Sequence, residues 1–247
     1  MKKATRQQTK SHNTRLILKT IYEQGNVSRA DLARLTRLTR PTVSSIVAEL
    51  MARGLVAETG QGPSAGGKRP TWLDIVDDAQ QLICIDLGSQ LFRGAVVNLR
   101  GDIVARQSFA RDDQTGDEAV ALVYRLLDAL AADATAPLLG IGVGTPGLVD
   151  PQHGVVKQAV NLGWSDLHLG ELLQARYDTA VYVANDSHLA ALAEYTYGPP
   201  RHSQHLILIK VGQGIGAGIV VNGQLLVGDG FGAGEIGHVV VAENGAP

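Results

Sequence analysis

Residues 28–50 read SRADLARLTRLTRPTVSSIVAEL, two short helical patterns separated by a few polar residues. Ser28 with Asp31 three positions on has the form of a capping box, and it opens a helix through Leu32, Ala33 and Leu35. Arg40-Pro41-Thr42 opens the next helix, with proline in the first turn, where a missing N–H is harmless. Val43, Ile46, Val47 and Leu50 recur at helical spacing as its buried face, and Gly54 ends it. Thr42, Ser44 and Ser45 face the other way. A second helix presenting small polar residues after a tight turn has the shape that enters a DNA major groove. Upstream, Leu16, Ile17, Thr20 and Ile21 share one face of a helix over 13–24, stopped by Gly25. Downstream, 55–58 and 72–75 alternate as strands. The loop between them ends in Gly67-Lys68-Arg69-Pro70, a basic wing able to lay an arginine along a narrow minor groove. A winged helix-turn-helix over 1–76 is predicted.

Charge supports that division. The 247 residues carry a net charge of -2, yet the first 70 hold thirteen Lys and Arg against four Asp and Glu, a net of +9. The remainder holds nine against twenty, a net of -11. A basic head on an acidic body implies that the head meets a polyanion and the body does not. Arg37, Arg40, Thr42, Ser44, Ser45, Lys68 and Arg69 are the candidate DNA contacts. The competing reading is a protein–protein module whose charges are a solvated face.

From Gln81 the pattern changes. LICIDLGS (82–89) is an apolar strand ending in an acid and a glycine turn. Strands over 93–99 and 103–108 follow, joined at Arg100-Gly101-Asp102. A helix over 118–132 has Val120, Val123, Leu127 and Leu130 inward. A buried strand over 138–143 runs into Gly144-Thr145-Pro146-Gly147. A helix over 169–177 and a strand over 181–183 lead to Asn185-Asp186, where that strand meets the helix 189–195. This order is that of an α/β lobe with its functional groups at strand ends.

Three loops carry chemistry. Asp186 is placed to be a general base on a sugar hydroxyl, with Asn185 bonding another; the alternative is a helix cap. After the strand 206–210, the glycines of Val211-Gly212-Gln213-Gly214-Ile215-Gly216-Ala217-Gly218 either cradle a phosphate or make a tight hairpin. Glu235 and His238, one turn apart, can grip adjacent sugar hydroxyls, leaving an imidazole nitrogen for a metal.

Composition excludes several classes. Hydrophobic residues at 45% and charged residues at 19% suit a globular chain. Aromatics at 4% make any core aliphatic. The single cysteine, Cys84, forbids an internal disulfide and a multi-thiolate zinc site in these residues. No apolar run approaches the ~20 residues that span a bilayer, and the N-terminus lacks the apolar segment of a signal peptide. A cytoplasmic protein without membrane insertion is expected.

Gly144-Thr145-Pro146-Gly147, Asn161-Leu162-Gly163-Trp164, Asn185-Asp186 and the run from Val221-Asn222-Gly223 to Gly234-Glu235-Ile236-Gly237-His238 resemble the ROK family (repressors, open reading frames, kinases). The head, with its Gly-Gly-Lys-Arg-Pro wing, is similar to that of the NagC/XylR-type repressors of the family, and the likeness covers nearly the whole chain. It implies an actin-like ATPase/sugar-kinase fold, with a first α/β lobe over 77–200 and the start of an incomplete second lobe over 201–247. It also implies a sugar-responsive repressor of carbohydrate-utilisation genes that binds double-stranded operator DNA as a homodimer or higher homo-oligomer. Gly144, Asn161, Asn185, Asp186, Glu235 and His238 fall at the family's sugar-site positions, and Asp186 matches the kinase base. The family histidine also ligates a structural zinc with three cysteines of a following Cys-x-Cys-Gly-x-x-Gly-Cys segment. Pro247 precedes the place for that segment, so the resemblance implies a fragment or a natural truncation. No cofactor is expected in this chain, and His238 becomes a zinc ligand only where the cysteines are present. The residues after about 200 are expected to be poorly stabilised alone.

The chain departs from the kinases at the phosphate loop, where Asp86-Leu87-Gly88-Ser89-Gln90-Leu91 replaces Asp-x-Gly-Gly-Thr-Lys and Gln213 replaces Thr. Phosphoryl transfer rests on positioning and charge, so ATP-dependent activity is not expected and Asp186 is read as vestigial. Ser187-His188 replaces Ala-Asn, and His188 is read as a helix-surface residue. The rival reading is a ROK hexose kinase with a fused DNA-binding head. A third is a sugar-blind regulator signalled by a protein partner.

Overall fold

The computed structural model describes residues 5–63, 69–199 and 203–240. Its contacts divide the chain into two units, Met1–Gln80 with Asn98–Gly101, and Gln81–Val97 with Asp102–Pro247. The first boundary lies four residues beyond the 76 read from sequence. The contacts do not separate 77–200 from 201–247.

In the first unit, α1 (Arg6–Gln24) starts seven residues earlier than its apolar face announces, because Thr5 and Gln8 form a complete capping box. After β1 (Val27–Ser28), α2 (Arg29–Thr36) is capped by the Ser28 hydroxyl, which accepts from the Asp31 N–H at 3.1 Å. The same hydroxyl donates to the Asp31 carboxylate at 2.6 Å. This bond and the Arg34 guanidinium hold the Asp31 carboxyl below its usual range, against the opposing effect of burial. The helix α3 (Arg40–Ala52) begins on a Thr39 cap and buries Val43, Ile46, Val47 and Leu50. These pack with Ile17, Ile21, Leu32 and Leu73 into one small core. The wing strands are β2 (Val56–Gln61) and β3 (Thr71–Ile75), and the short β1, unforeseen in the sequence, pairs with the far side of β3. The turn Asn98–Gly101 belongs here through Arg100. Its guanidinium lies 4.7 Å over the Tyr22 ring and bonds Asp74 at 2.5 Å, Asp77 at 3.0 Å and the Tyr22 carbonyl at 2.6 Å.

The second unit is built on a five-stranded sheet. Its strands are β4 (Gln81–Leu87), β5 (Leu91–Asn98), β6 (Ile103–Ala110), β7 (Leu138–Thr145) and β11 (Val181–Asn185), in the order β11-β7-β4-β5-β6. β7 runs parallel to both neighbours, and β5 and β6 form an antiparallel hairpin. Between β6 and β7, α4 (Gly116–Asp133) buries Ala119, Leu122, Val123, Leu126, Leu127 and Leu130 against the sheet. Val120, expected inside, is only half-buried, because the apolar stripe turns about Ala119 and Leu126 instead. Three short strands, β8 (Leu148–Asp150), β9 (Val155–Ala159) and β10 (Trp164–Leu167), make an antiparallel sheet with no counterpart in the sequence reading. The helix α5 (Leu169–Tyr177) then leads into β11, and α6 (Asp186–Tyr197) follows β11 without a gap.

A second antiparallel sheet contains β12 (Leu206–Val211), β13 (Ile215–Val221) and β14 (Gln224–Leu226). The glycine-rich stretch is the hairpin between β12 and β13, with Val211 opposite Ile215 and Gly212 N–H donating to the Gly214 carbonyl at 2.9 Å. The tight hairpin expected of these glycines is present. Gly216 and Gly218 serve a different purpose: a Cβ on Gly218 would meet that of Ala191 at 2.3 Å, so α6 lies directly on β13. Ile207, Ile209 and Val211 on β12 stay exposed.

Candidate functional site

Each unit carries its own candidate surface. In the head, Thr39 closes the turn between α2 and α3, its hydroxyl 2.9 Å from that of Thr42. Thr42 is therefore half-buried and engaged, whereas Ser44 and Ser45 are exposed on α3. Arg37 ends α2 at φ 57°, ψ 24°, a left-handed conformation that favours glycine, and its side chain is exposed. Arg40 and Arg69 face the same hollow of about 450 Å³, together with Ser28, Arg29 and Thr71. The structure thus brings the start of α3 and the end of the wing to one hollow. Arg29 was missed as a member of this hollow. Its guanidinium bonds Glu58 at 3.0 Å, and nothing in its local sequence marks it. Lys68 lies outside the described residues.

In the second unit, the parallel pairing of β11 with β7 sets Asn185 beside Thr145 and Ala184 beside Gly144. Gly144 lies in the strand, not in a loop. A Cβ there would stand 3.3 Å from Leu189 Cδ1 and 3.8 Å from Asp186 Cα, so its bareness lets α6 begin close to the sheet. Asn185 is buried and heavily used. Its Oδ1 accepts from the N–H groups of Ser187 at 2.9 Å and His188 at 3.1 Å, and its Nδ2 donates to the Gly147 carbonyl at 2.9 Å. The cap reading is thereby fulfilled, and the second amide hydrogen has no partner among the described residues.

Asp186, partly buried, meets Lys210 Nζ at 2.5 Å. Asp86, at the end of β4, meets Arg93 at 2.7 Å. Both acidic positions of the kinase-like site are therefore paired with cations of this chain. Glu235 precedes a 3-10 turn, Ile236–His238, and is half-buried; the exposed His238 lies 3.7 Å from it through Nε2 and Oε2. The loop bearing Glu235 stands against β8, where a Cβ on Gly232 would lie 3.6 Å from Leu148. Asn161 is exposed in a 3-10 turn, Val160–Leu162, and its carbonyl accepts from Arg111 at 2.8 Å. Arg111 also bonds the carbonyls of Ser89 and Gln114, tying the first kinase-like loop to that turn.

His188 is not a surface residue. It is buried, and its Nε2 lies 2.7 Å from the Ala233 carbonyl. The sequence reading missed this because the partner is 45 residues away. Zinc does not fit the residues present. Among the described residues no three His, Cys, Asp or Glu side chains converge, His238 is exposed with Glu235 as its acidic neighbour, and Cys84 lies on β4. Among them also, no helix is long and apolar enough to cross a membrane.

The profile of the ROK family matches residues 82–247, and that of the MarR family matches 13–69. The chain is 32% identical to the xylose repressor of Bacillus subtilis, over 96% of this chain and 62% of that protein. It is 30% identical to the DNA-binding transcriptional dual regulator NagC of Escherichia coli, over 94% of this chain and 58% of that one. Among solved structures, a ROK family transcriptional regulator, a homolog of the Escherichia coli MLC protein, superposes with a TM-score of 0.81 at 26% identity, covering 96% of this chain and 61% of the other. A ROK family glucokinase from Streptomyces griseus in complex with glucose and AMPPNP matches at a TM-score of 0.61 and 27% identity, over 67% of this chain and 52% of the other. The chain spans about three fifths of the length of the curated relatives it matches.

Proposed function

The chain belongs to the ROK family, with a helix-turn-helix head, and from that membership we propose a sugar-responsive, DNA-binding repressor of carbohydrate-utilisation genes. The observation that carries the proposal is the hollow in the head, which Arg40 at the start of α3 and Arg69 at the end of the wing both line, with Ser44 and Ser45 exposed further along α3. Arginines so spaced suit phosphates on either side of a groove, while the short hydroxyls suit base edges. On this reading Arg37, Arg40 and Arg69 hold operator DNA in the cytoplasm. A homodimer would present two such heads to a palindromic site.

The effector is a sugar held by the free amide hydrogen of Asn185 and by Asp186, Glu235 and His238. Two relatives support a pentose or an amino-sugar: one named xylose repressor, and one, from Escherichia coli O157:H7, named N-acetylglucosamine repressor. A sugar can shift the repressor only by binding its DNA-bound and free states unequally.

The likeness to a glucokinase favours one rival, a hexose kinase carrying a DNA-binding head. Two ion pairs weigh against it. The Asp186 carboxylate oxygen that bonds Lys210 is already occupied, and Asp86 is held by Arg93 while Leu91 stands where the family kinases carry lysine.

Fluorescence anisotropy of the full chain on its own upstream DNA tests the proposal, at fixed salt, with and without xylose, glucose, glucosamine and N-acetylglucosamine. Release of DNA by one sugar is the expected result. Tight binding indifferent to every sugar replaces the effector with a protein partner. Absence of DNA binding, with ADP released from ATP and a hexose, establishes the kinase.

A further inference from the structure

Helix α6 and the loop 228–238 are distant in sequence and meet across β13. Ser187 and Ala191 of α6 sit over Gly216 and Gly218, where a Cβ would stand 2.7 Å from Ser187 Oγ and 2.3 Å from Ala191 Cβ respectively. On the loop side, the Ala217 N–H donates to the Gly234 carbonyl at 2.8 Å. The backbone of β13 thus supports both elements, and neither contact fixes one against the other. His188 does. Its N–H is held by the Asn185 side chain at 3.1 Å, the residue is 4% exposed, and its Nε2 reaches the Ala233 carbonyl at 2.7 Å. A carbonyl only accepts, so Nε2 carries the proton and donates.

We propose that His188 is the positioning residue of the candidate sugar site: its bond to Ala233 fixes the loop bearing Glu235 against the helix bearing Asn185 and Asp186. Ala233 lies two residues before Glu235, and His188 lies two residues after Asp186, so the bond links the two segments that carry these residues. The inference rests on the reading of these residues as the effector site. The bond is buried and short, and losing it leaves a carbonyl without its donor and the loop without its side-chain tie to α6.

Three variants of the full chain test it. In His188→Leu the donor is gone. In His188→Asn the amide falls short of Ala233. In His188→Gln the amide extends to where Nε2 stood. Amide hydrogen exchange across 228–238, measured without sugar, is expected to quicken about tenfold or more in the Leu and Asn variants and to return toward wild type in the Gln variant. Exchange across α4 is expected to be unchanged in all three. Titration calorimetry with xylose, glucose and N-acetylglucosamine is expected to show affinity about tenfold weaker in the Leu and Asn variants, recovered in Gln, with DNA affinity in the absence of sugar unchanged. Equal loop exchange in all four proteins overturns the latch, and so does equal sugar affinity. If the Leu variant does not fold, the contrast between Asn and Gln decides. If the wild-type protein binds none of these sugars, the effector reading falls, and the exchange data alone decide whether His188 holds the loop.

Discussion

The two candidate surfaces use their polar side chains in opposite ways. In the head, Ser44, Ser45 and Arg40 are exposed on α3, and none of them bonds another side chain among the described residues. In the second unit, Asn185, Asp186 and Asp86 are each engaged by this chain, with Gly147 and the α6 amides, Lys210 and Arg93 respectively. A polyanion is gripped by charges that are free to meet it, and their loss costs the fold little. A small polar ligand needs groups held in place beforehand, and that holding enters the stability of the fold. Substitutions in the head should therefore separate binding from stability, and substitutions in the second unit should not.

The largest expected effect is at Gly147, with φ 91° and a site for Cβ only 2.0 Å from the Gln158 carbonyl. Gly147→Ala should cost about 3 kcal/mol in denaturant unfolding and abolish any sugar response. A variant as stable as wild type would mean that this loop relaxes freely. Asn185→Ala removes a helix cap and the tie to Gly147, with an expected loss of about 2 kcal/mol. Calorimetry should show sugar affinity falling with it. Loss of affinity at unchanged stability would erase the contrast between the two surfaces.

Arg40→Ala and Arg69→Ala should each weaken DNA binding about tenfold, at unfolding free energies within about 0.5 kcal/mol of wild type. For each phosphate no longer neutralised, the slope of log affinity against log salt should fall by about one. An unchanged slope would assign these arginines to something other than phosphates. Arg37→Gly sharpens the contrast further, because glycine relieves the left-handed backbone at that position. Stability should rise by about 1 kcal/mol while DNA affinity falls.

The smallest effect concerns pH. Asp31 has its folded pKa lowered by the Ser28 hydroxyl and Arg34, so it stabilises the head above the ordinary carboxylate range. That contribution is lost as pH falls through the lowered folded value. With the carboxylate a third exposed, it amounts to about 0.5 kcal/mol. The stability gap between wild type and Asp31→Asn should thus be present at pH 7 and close below about pH 4. A gap that widens on acidification would reverse the assignment.

How much was legible follows the same division. The cap at Ser28, the buried face Val43, Ile46, Val47 and Leu50, and the two wing strands could all be read from neighbouring residues. Helix caps and helical periodicity act over three or four positions. The β8-β9-β10 sheet was not legible, because its strands are only three to five residues long and the register shifts between β8 and β9. His188 was misassigned, although its helix was foreseen. Its partner, the Ala233 carbonyl, is brought there by the folding of 228–238 back over β13, and no local periodicity encodes it. The glycine stretch over 211–218 was ambiguous until the pairing of Val211 with Ile215 made it a hairpin.

Charge segregation, helix caps and the spacing of apolar residues need only near neighbours, and from them a basic winged head and an acidic α/β body follow directly. The state of each polar group in the body does not. Whether Asp186 is a free base or the partner of Lys210, whether Asp86 is open or closed by Arg93, and whether His188 faces water or Ala233 depends on contacts across 24, 7 and 45 residues. Such pairs form only when strands and helices have packed. Hydrogen bonds and ion pairs act within a few ångströms, and the packed chain alone brings these partners that close.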